Sequence, residues 1–191
     1  MTRVICDMSA SLDGYVTGPN DSRENPFGDG AGMLHDWILA AATDEDRAIL
    51  QDFRDSVGAV VMGRTSFDKN EGDGGWGDGG PLGDTPCFVV THHEPTRAHP
   101  PIYTFVTDGV VSAIEQAKQT AGDKIVSLFG ATVMQQALSL GLVDELRVHV
   151  IPVLLGGGTP LFATLDSAIR LERTQALATP AATHLEFRVV R

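Results

Sequence analysis

Strand-like and helix-like segments alternate along most of this chain, and this alternation constrains its fold more than any other feature. Three amphipathic segments are predicted as helices: one begins after Thr43, one follows Thr107 or Asp108 and ends at Gly122, and one follows Gly130 and ends at Gly141. Eight runs rich in β-branched and aromatic residues are predicted as strands, at residues 4–10, 59–62, 87–91, 103–107, 124–128, 146–155, 171–178 and 184–190.

This order predicts the α/β class, with a mixed, mostly parallel eight-stranded sheet flanked by helices. The last two strands have no helix between them, so they are expected to form an antiparallel edge at the C-terminus. In the second helix, Val111, Ile114 and Ala117 are predicted to share the buried face. A length of 191 residues suits a single domain spanning 1–191.

The charge balance limits the kinds of partner that the protein can bind. The chain has 14 Lys and Arg against 25 Asp and Glu, a formal net charge of −11, which disfavours nucleic acid and anionic membrane surfaces. Cys6 and Cys87 lie in apolar runs without metal-like spacing and are predicted as small core residues. With no apolar stretch long enough for a membrane span and no signal peptide, we expect a cytoplasmic protein that acts on a small molecule.

Two polar, glycine-rich segments, at residues 18–32 and 70–84, are predicted as loops. Long loops in a domain of this size are either lids over a site or solvated insertions, and the composition favours neither.

The segment SLFGATVMQQAL joins a predicted strand to a predicted helix at Gly130. One interpretation is a tight turn, because glycine tolerates a positive φ and close backbone contact. The other is an anion site formed by the free N–H groups at the start of the helix, residues 131–134. This stretch alone favours the turn, since short glycine motifs occur often by chance.

Two other strand ends carry groups that could bind phosphate or a nucleotide. Gly63, Arg64 and Thr65 bring together backbone N–H groups, a guanidinium and a hydroxyl, although a surface arginine paired with an acid is the alternative. Thr91 and His92 offer a hydroxyl and an imidazole, with exposed histidines as the alternative. No close ligand spacing predicts a metal, and no serine has the context of a nucleophile elbow.

In this order, the segments SLDGYVTG, VVMGRTSF, PCFVVTH, FVTDGVVSAIEQAK, GATVMQQALSLGLVDELRVHVIPVLLGGGTPLF and THLEFRVV resemble the dihydrofolate-reductase-like superfamily. Within it the chain is most similar to stand-alone relatives of the reductase domain of the riboflavin-biosynthesis deaminase-reductase. The resemblance covers nearly the whole chain. It implies a dihydrofolate-reductase-like fold with NADPH across the strand ends, and it moves the phosphate interpretation of Gly130 ahead of the turn.

The resemblance also implies roles for individual residues at the cofactor. The adenosine phosphate would meet Gly63, Arg64 and Thr65, and the adenine would meet Thr91 and His92. The nicotinamide would be framed by Ser9, Val16 and Gly18, and the pyrophosphate would be held at Phe129, Gly130, Ala131, Thr132 and Val133.

Phe129 stands where the family usually has a second glycine, so either the backbone at this corner is strained or the phosphate loop differs. In the second case a flavin or deazaflavin could replace NADPH. Folate reductases grip the pterin ring with a carboxylate on the first helix, and Asp36 with the neighbouring Trp37 is the candidate here. The alternative is a solvated Asp36 and a core Trp37. Asp13 is a further catalytic candidate, with stabilisation of the turn at Gly14 as its alternative.

These observations favour an NADPH-dependent reductase that transfers hydride to a small polar heterocycle, pyrimidine-like or pterin-like, with a 5-amino-6-(5-phosphoribosylamino)uracil reductase of the riboflavin pathway as one form of this expectation. The alternative is a non-catalytic nucleotide- or ligand-binding module on the same fold. A homodimer is expected, for which the apolar run 146–155 is one candidate interface, although such runs usually form the buried centre of a sheet.

Overall fold

The backbone forms ten strands and five α-helices over the residues that the computed structural model describes, which are 2–39, 43–72, 75–162, 165 and 167–191. Residues 73–74 of the second glycine-rich segment lie outside the described residues. The strands are β1 Val4–Ser11, β2 Tyr15–Thr17, β3 Val57–Gly63, β4 Cys87–Val90, β5 Tyr103–Val106, β6 Ile125–Phe129, β7 Glu145–Ile151, β8 Thr159–Pro160, β9 Arg170–Ala178 and β10 Thr183–Val190.

A 3₁₀ turn at Gly32–His35 precedes the first α-helix. The helices are α1 Asp36–Leu39, α2 Asp44–Ser56, α3 Arg64–Asn70, α4 Gly109–Ala121 and α5 Ala131–Ser139. Each of these described helices is too short or too polar to cross a bilayer.

Eight strands form one mixed sheet in the order β5-β4-β3-β6-β1-β7-β10-β9, which confirms the predicted fold class. The chain clusters into two compact units. Unit 1 comprises residues 1–5 and 56–143, and unit 2 comprises residues 6–55 and 144–191. The expectation of a single domain stays a prediction.

Unit 1 is built on four parallel strands, and its helices follow the strands that they cover. Strand β3 pairs with β4 on one side and with β6 on the other, and β4 pairs with β5. Parallel strands have both faces covered, which explains the continuous apolar run of β3, where residues 59–62 are fully buried. Helix α4 buries Val110, Ala113 and Ile114. The prediction for Val111 was wrong, since its side chain is 46% exposed.

Unit 2 contains the antiparallel edge that the sequence predicted. Strand β10 pairs antiparallel with β7 and with β9, and a register shift interrupts the second pairing between Glu186 and Phe187. A cluster of buried residues lies beside these strands and consists of Ala31, Leu34, Trp37, Ile151 and Ala182.

The strand predicted at residues 146–155 ends earlier, at Ile151, because Pro152 has no N–H to donate to a ladder. The short strands β2 and β8 pair antiparallel in a separate sheet that the sequence did not reveal. Cys6 and Cys87 are free and buried, as predicted.

Helix α2 begins with a reciprocal cap that confirms Thr43 as its N-cap. The Thr43 hydroxyl accepts a hydrogen bond from the Asp46 N–H at 3.2 Å. In return, Asp46 Oδ2 accepts from the Thr43 N–H at 2.7 Å and from the Thr43 hydroxyl at 2.9 Å. This is the geometry of a capping box, here with Asp at the third helical position, and it holds Asp46 in place with its side chain buried.

Candidate functional site

Helix α5 of unit 1 begins directly after the buried strand β6, and its first turn has no side-chain cap. The first intrahelical bond runs from the Met134 N–H to the Gly130 carbonyl at 3.2 Å. The N–H groups of Ala131, Thr132 and Val133 precede that bond, so they have no acceptor within the helix. Such a turn carries a partial positive charge and can bind an anion.

Gly130 is the residue that lets the backbone make this corner. Its φ is +95° and its ψ is 138°, which residues with a Cβ rarely adopt. A Cβ at this position would lie 2.5 Å from Ser66 Oγ. The turn interpretation of Gly130 is therefore correct, and it is compatible with the phosphate interpretation, which stays a prediction. The peptide bond between Phe129 and Gly130 is trans.

The first turn of α3 lies beside the first turn of α5. Strands β3 and β6 are parallel neighbours with Met62 opposite Phe129, so the helices that follow them start at the same edge. Gly63 is the N-cap of α3 and has no side-chain cap bond. A Cβ on Gly63 would lie 3.3 Å from Val133 Cγ2. The structure thus brings together two of the predicted phosphate-binding segments.

Arg64 is the first residue of α3 and is half-buried. Its Nε donates to Asp68 Oδ1 at 2.7 Å, and its guanidinium carbon lies 5.8 Å from the centre of the Phe67 ring. The ion pair with an acid, proposed as the alternative role, is therefore present. It uses one of the five guanidinium N–H donors, so it does not exclude binding of a phosphate. Thr65 is exposed beside it.

At the end of β4, Thr91 is buried and its hydroxyl closes a local turn. The hydroxyl donates to the His93 carbonyl at 3.0 Å and accepts from the His93 N–H at 3.4 Å. His92 and His93 are both exposed. Thr91 therefore shapes the corner through its hydroxyl, and the predicted adenine contact would fall to the exposed His92.

Phe129, the residue that replaces a family glycine, is half-buried at the end of β6. Its ring makes an edge-to-face contact with Trp76, with ring centres 5.8 Å apart. Trp76 belongs to the glycine-rich segment 70–84, and its backbone N–H donates to the Asn70 carbonyl at 2.7 Å. The described part of this loop is thus attached to the end of α3 and to the strand that carries Phe129.

The remaining predicted site residues lie in unit 2. Val16 and Gly18 are buried, and a Cβ on Gly18 would lie 2.0 Å from the Asp29 carbonyl oxygen, so only glycine fits there. Ser9 is half-buried and accepts a hydrogen bond from Trp37 Nε1 at 2.8 Å. Trp37 is buried in the core, whereas Asp36 is exposed, as in the alternative interpretation of this pair. A catalytic role for Asp36 stays a prediction.

Asp13 is an exposed residue whose carboxylate holds two loops together. It accepts hydrogen bonds from the Ser11 hydroxyl at 2.6 Å, the Leu155 N–H at 3.1 Å and the Gly156 N–H at 2.7 Å. The bonds from Ser11 and Gly156 lower the pKa of Asp13 below its ordinary value, so the carboxylate stays ionised. This is a loop-stabilising role, and a catalytic role for Asp13 stays a prediction.

Sequence reasoning missed a group of buried titratable residues in unit 2. His149 on β7 and His184 on β10 are directly opposite each other, and their Nδ1 atoms are 2.7 Å apart. His149 Nε2 lies 3.0 Å from Asp7 Oδ1, and His184 Nε2 lies 2.9 Å from Asp46 Oδ1. We call these four residues the Asp–His–His–Asp chain. The available signal was one histidine in each of two predicted strands, at residues 146–155 and 184–190.

Trp37 covers the two histidines of this chain. Its ring centre lies 4.4 Å from that of His149 and 5.0 Å from that of His184. Burial lowers the pKa of His184, and the neighbouring His149 lowers it further, against the opposing effect of Asp46. Burial, the largest single effect, raises the pKa of Asp46, but hydrogen bonds from Thr43, Thr179 and His184 together outweigh it, and the pKa is lowered. Asp46 is therefore a buried anion, whereas His184 is protonated less readily than an ordinary histidine.

The family model of the RibD C-terminal domain matches residues 2–185. The chain belongs to this family. Among curated proteins, YyaP of Bacillus subtilis is 28% identical over 182 residues, covering 89% of this chain and 85% of YyaP, and it is uncharacterised.

Solved structures show which fold this family member has. A protein of Shewanella sp. PV-4, provisionally assigned to riboflavin biosynthesis, gives a TM-score of 0.74 at 23% identity, with 100% of both chains covered. The deaminase/5-amino-6-(5-phosphoribosylamino)uracil reductase of Thermotoga maritima gives 0.66 at 15% identity, covering 99% of this chain and 57% of that one.

Dihydrofolate reductase of Enterococcus faecalis, solved with NADP(H), gives a TM-score of 0.58 at 10% identity, covering 99% of this chain and 97% of that one. These likenesses confirm the dihydrofolate-reductase-like fold.

Proposed function

We propose that this protein is an NADPH-dependent reductase that transfers a hydride to a C=N or C=O carbon of a pyrimidine-like or pterin-like substrate. The observation that carries the proposal is the uncapped first turn of α5, which lies beside the turn of α3 that holds Arg64. Two helix starts and one guanidinium are the chemistry that a dinucleotide's phosphates need. Family membership and the NADP(H) complex of a protein with the same fold support the choice of cofactor.

Different groups in unit 1 are assigned to the different phosphates of the cofactor. The pyrophosphate would accept hydrogen bonds from the N–H groups at residues 131–133, and the extra phosphate of NADPH would pair with Arg64. When bound, the cofactor supplies the hydride, so the protein itself needs no nucleophile or metal for this step. Backbone N–H groups can bind the cofactor's phosphates even in a chain whose formal net charge is −11.

Substitution of Arg64 tests this assignment. In the variant Arg64→Ala, we expect NADPH affinity to fall about 10- to 100-fold, because a charge-assisted hydrogen bond is worth about 1.5–3 kcal/mol. The affinity for NADH should change little. Fluorescence titration of the reduced cofactor measures both constants. Arg47→Ala is a matched control, since Arg47 is an exposed arginine paired with Asp44 inside a helix. Equal losses for NADPH and NADH would remove Arg64 from this role.

Turnover is tested by mixing the protein with NADPH and either 5-amino-6-(5-phosphoribosylamino)uracil or dihydrofolate, then following the absorbance of the reduced nicotinamide. Oxidation that requires one of these substrates supports the reductase. Tight NADPH binding without oxidation of any pyrimidine or pterin would favour the alternative, a ligand-binding module.

The proposal extends to a cytoplasmic homodimer. The outer strand β9 is exposed along nearly its whole length, and such an edge can pair with a second copy. The mass of one chain is 20.3 kDa, and sedimentation equilibrium should give twice that value. A monomer at micromolar concentration would contradict the proposed homodimer.

A further inference from the structure

Arg64 is the residue that would distinguish NADPH from NADH in the proposed function, and its side chain is held at two places within unit 1. Its Nε donates to Asp68 Oδ1 at 2.7 Å, one turn further along α3. Its guanidinium carbon lies 5.8 Å from the centre of the Phe67 ring, which is within the range of a cation–π contact. One nitrogen and one face of the guanidinium are therefore already in contact with the protein.

Phe67 is a fixed support for that face. Its side chain is 0% exposed, although it belongs to a short helix at the surface. Three rings contact it edge-on, with ring centres 4.9 to 5.2 Å away, and they belong to His99, Tyr103 and Phe105. Edge-to-face contacts of this kind stabilise one orientation of a ring. The guanidinium of Arg64 therefore lies on a surface that the core of unit 1 holds in place.

The two terminal nitrogens of Arg64 remain for a ligand. Within the described residues the structure shows no hydrogen bond to Nη1 or Nη2. The Arg64 side chain is 39% exposed, so an anion in solution can reach them. These two nitrogens form an edge of the planar guanidinium that can donate two hydrogen bonds to one phosphate.

The two sides of α3 face different neighbours. Ser66 faces the start of α5, because a Cβ on Gly130 would lie 2.5 Å from its hydroxyl oxygen. Residues 64 and 66 are about 200° apart around a helix. Arg64 lies on Phe67, whose ring packs against two residues of β5, and β4 lies between β5 and β3. Arg64 is therefore on the side of β4, whose end carries the predicted adenine contacts, and away from the first turn of α5.

We propose that Asp68 is a positioning residue that sets the preference of this protein for NADPH over NADH. By accepting a hydrogen bond from Nε, Asp68 keeps the Arg64 guanidinium on the Phe67 ring and leaves Nη1 and Nη2 for the extra phosphate of NADPH. This inference rests on the proposed function and extends it from Arg64 to the residue that orients Arg64.

Asp68 acts on a bound phosphate in two opposite ways. Its carboxylate repels the phosphate, because both are anions. Its hydrogen bond to Arg64 orders that side chain before the cofactor arrives, so that binding loses less side-chain entropy. Asp68→Asn removes the charge but keeps an oxygen that can accept from Nε, whereas Asp68→Ala removes both. The difference between the two variants therefore isolates the positioning effect.

The expected result is a difference in NADPH affinity without a difference in NADH affinity. The dissociation constant of NADPH should be about 3- to 10-fold higher in Asp68→Ala than in Asp68→Asn, since this is the usual cost of ordering one long side chain on binding. The dissociation constant of NADH should be equal in the two variants, because NADH has no phosphate for Arg64. Fluorescence titration of the reduced cofactors measures all four constants.

The same pair of variants in an Arg64→Ala background shows whether Asp68 acts through Arg64. In that background Asp68→Ala and Asp68→Asn should bind NADPH equally well. Asp44→Ala and Asp44→Asn are the matched control, because Asp44 forms an exposed ion pair with Arg47 inside α2. The Asp68 side chain is 48% exposed, so its substitutions should leave the urea unfolding midpoint nearly unchanged.

A further measurement uses the wild-type protein alone. The ¹⁵N signals of the Arg64 guanidinium are assigned by their loss in Arg64→Ala. Addition of NADPH should shift the signals of Nη1 and Nη2 more than the signal of Nε, because Nε stays bonded to Asp68. A larger shift at Nε would mean that the cofactor displaces Asp68, and this would overturn the proposal.

Three results of the titrations would also overturn it. These are equal NADPH constants in Asp68→Ala and Asp68→Asn, an NADH constant that changes as much as the NADPH constant, and a difference between the two variants that persists without the Arg64 side chain. Wild-type protein that binds neither cofactor refutes the proposed function itself. That outcome is visible before any variant of Asp68 is made, so the two failures are distinguishable.

Discussion

Substitution of Gly130 by alanine tests whether the corner at the start of α5 is built as the structure indicates. The backbone there has φ +95° and ψ 138°, and such a conformation costs a residue with a Cβ about 1–3 kcal/mol. The new Cβ would also lie 2.5 Å from Ser66 Oγ. Because that hydroxyl can rotate, the contact adds about 1 kcal/mol. We therefore expect Gly130→Ala to lower the free energy of unfolding by about 2–4 kcal/mol.

A second substitution separates the two contributions. Ser66→Ala removes Oγ and leaves Ser66 Cβ 3.6 Å from the added methyl group, an ordinary contact. The Ser66 carbonyl still accepts from Asn70, so α3 keeps that bond. In the Ser66→Ala background, Gly130→Ala should cost about 1–3 kcal/mol, which leaves a coupling energy of about 1 kcal/mol. Urea unfolding of the four proteins in this cycle measures both values.

Gly141→Ala provides the control at the other end of α5. Gly141 has φ +67°, and among the described residues nothing lies within 4 Å of where the alanine methyl group would stand, so only the backbone strain of about 1 kcal/mol applies. NADPH affinity should fall at least about tenfold in Gly130→Ala and stay unchanged in Gly141→Ala, because only the first substitution disturbs the N–H groups of the first turn. A stability loss below about 0.5 kcal/mol for Gly130→Ala would refute the steric reasoning.

Three further predictions concern unit 2. Trp37→Phe removes the hydrogen bond to Ser9 and leaves a small cavity, so urea unfolding should show a loss of about 2 kcal/mol; no loss would mean that this contact is not formed. Thr43→Ala removes the cap of α2 and should lower the free energy of unfolding by about 1 kcal/mol in the same assay. A negligible change would mean that the Thr43 hydroxyl does not cap the helix. Stability should fall as pH drops below about 6.5, because the pKa of His184 is lowered in the folded protein and the unfolded chain takes up its proton first. That slope should be absent in His184→Gln, and an equal slope in both proteins would exclude His184 as its source.

Local signals in the sequence predicted most of the regular structure. Thr43, Gly122 and Gly141 mark helix ends through capping and backbone freedom, which depend on a few neighbouring residues. Strand positions were also predictable, because alternation and β-branching are local properties. The exposed Val111 was misplaced, since helical periodicity gives the apolar stripe but not its edges. The two-residue strand β8 carries no periodic signal at all and could not be found in this way.

The residues of the candidate sites also fall into two groups: those that a local sequence signal predicts and those whose contacts depend on the tertiary structure. The segments at Gly63 and Gly130 were predictable, because a glycine between an apolar strand and a helix is visible in the sequence. Arg64 could be named, but its partner Asp68 could not, since any nearby acid would have served. Asp13 could be named as well, whereas its bonds to residues 155 and 156 depend on how two distant loops meet.

The Asp–His–His–Asp chain shows most clearly what only a structure supplies. In the sequence, His149 and His184 are single histidines in two predicted strands, and a buried histidine with a local partner explains each of them. They become a pair only because β10 aligns with β7 so that His184 lies opposite His149, and a slip of one residue would turn His184 to the other face. The capping box then fixes Asp46 at the far end. Register and capping are structural requirements, and together they create a buried hydrogen-bonded group of two carboxylates and two imidazoles that no single segment encodes.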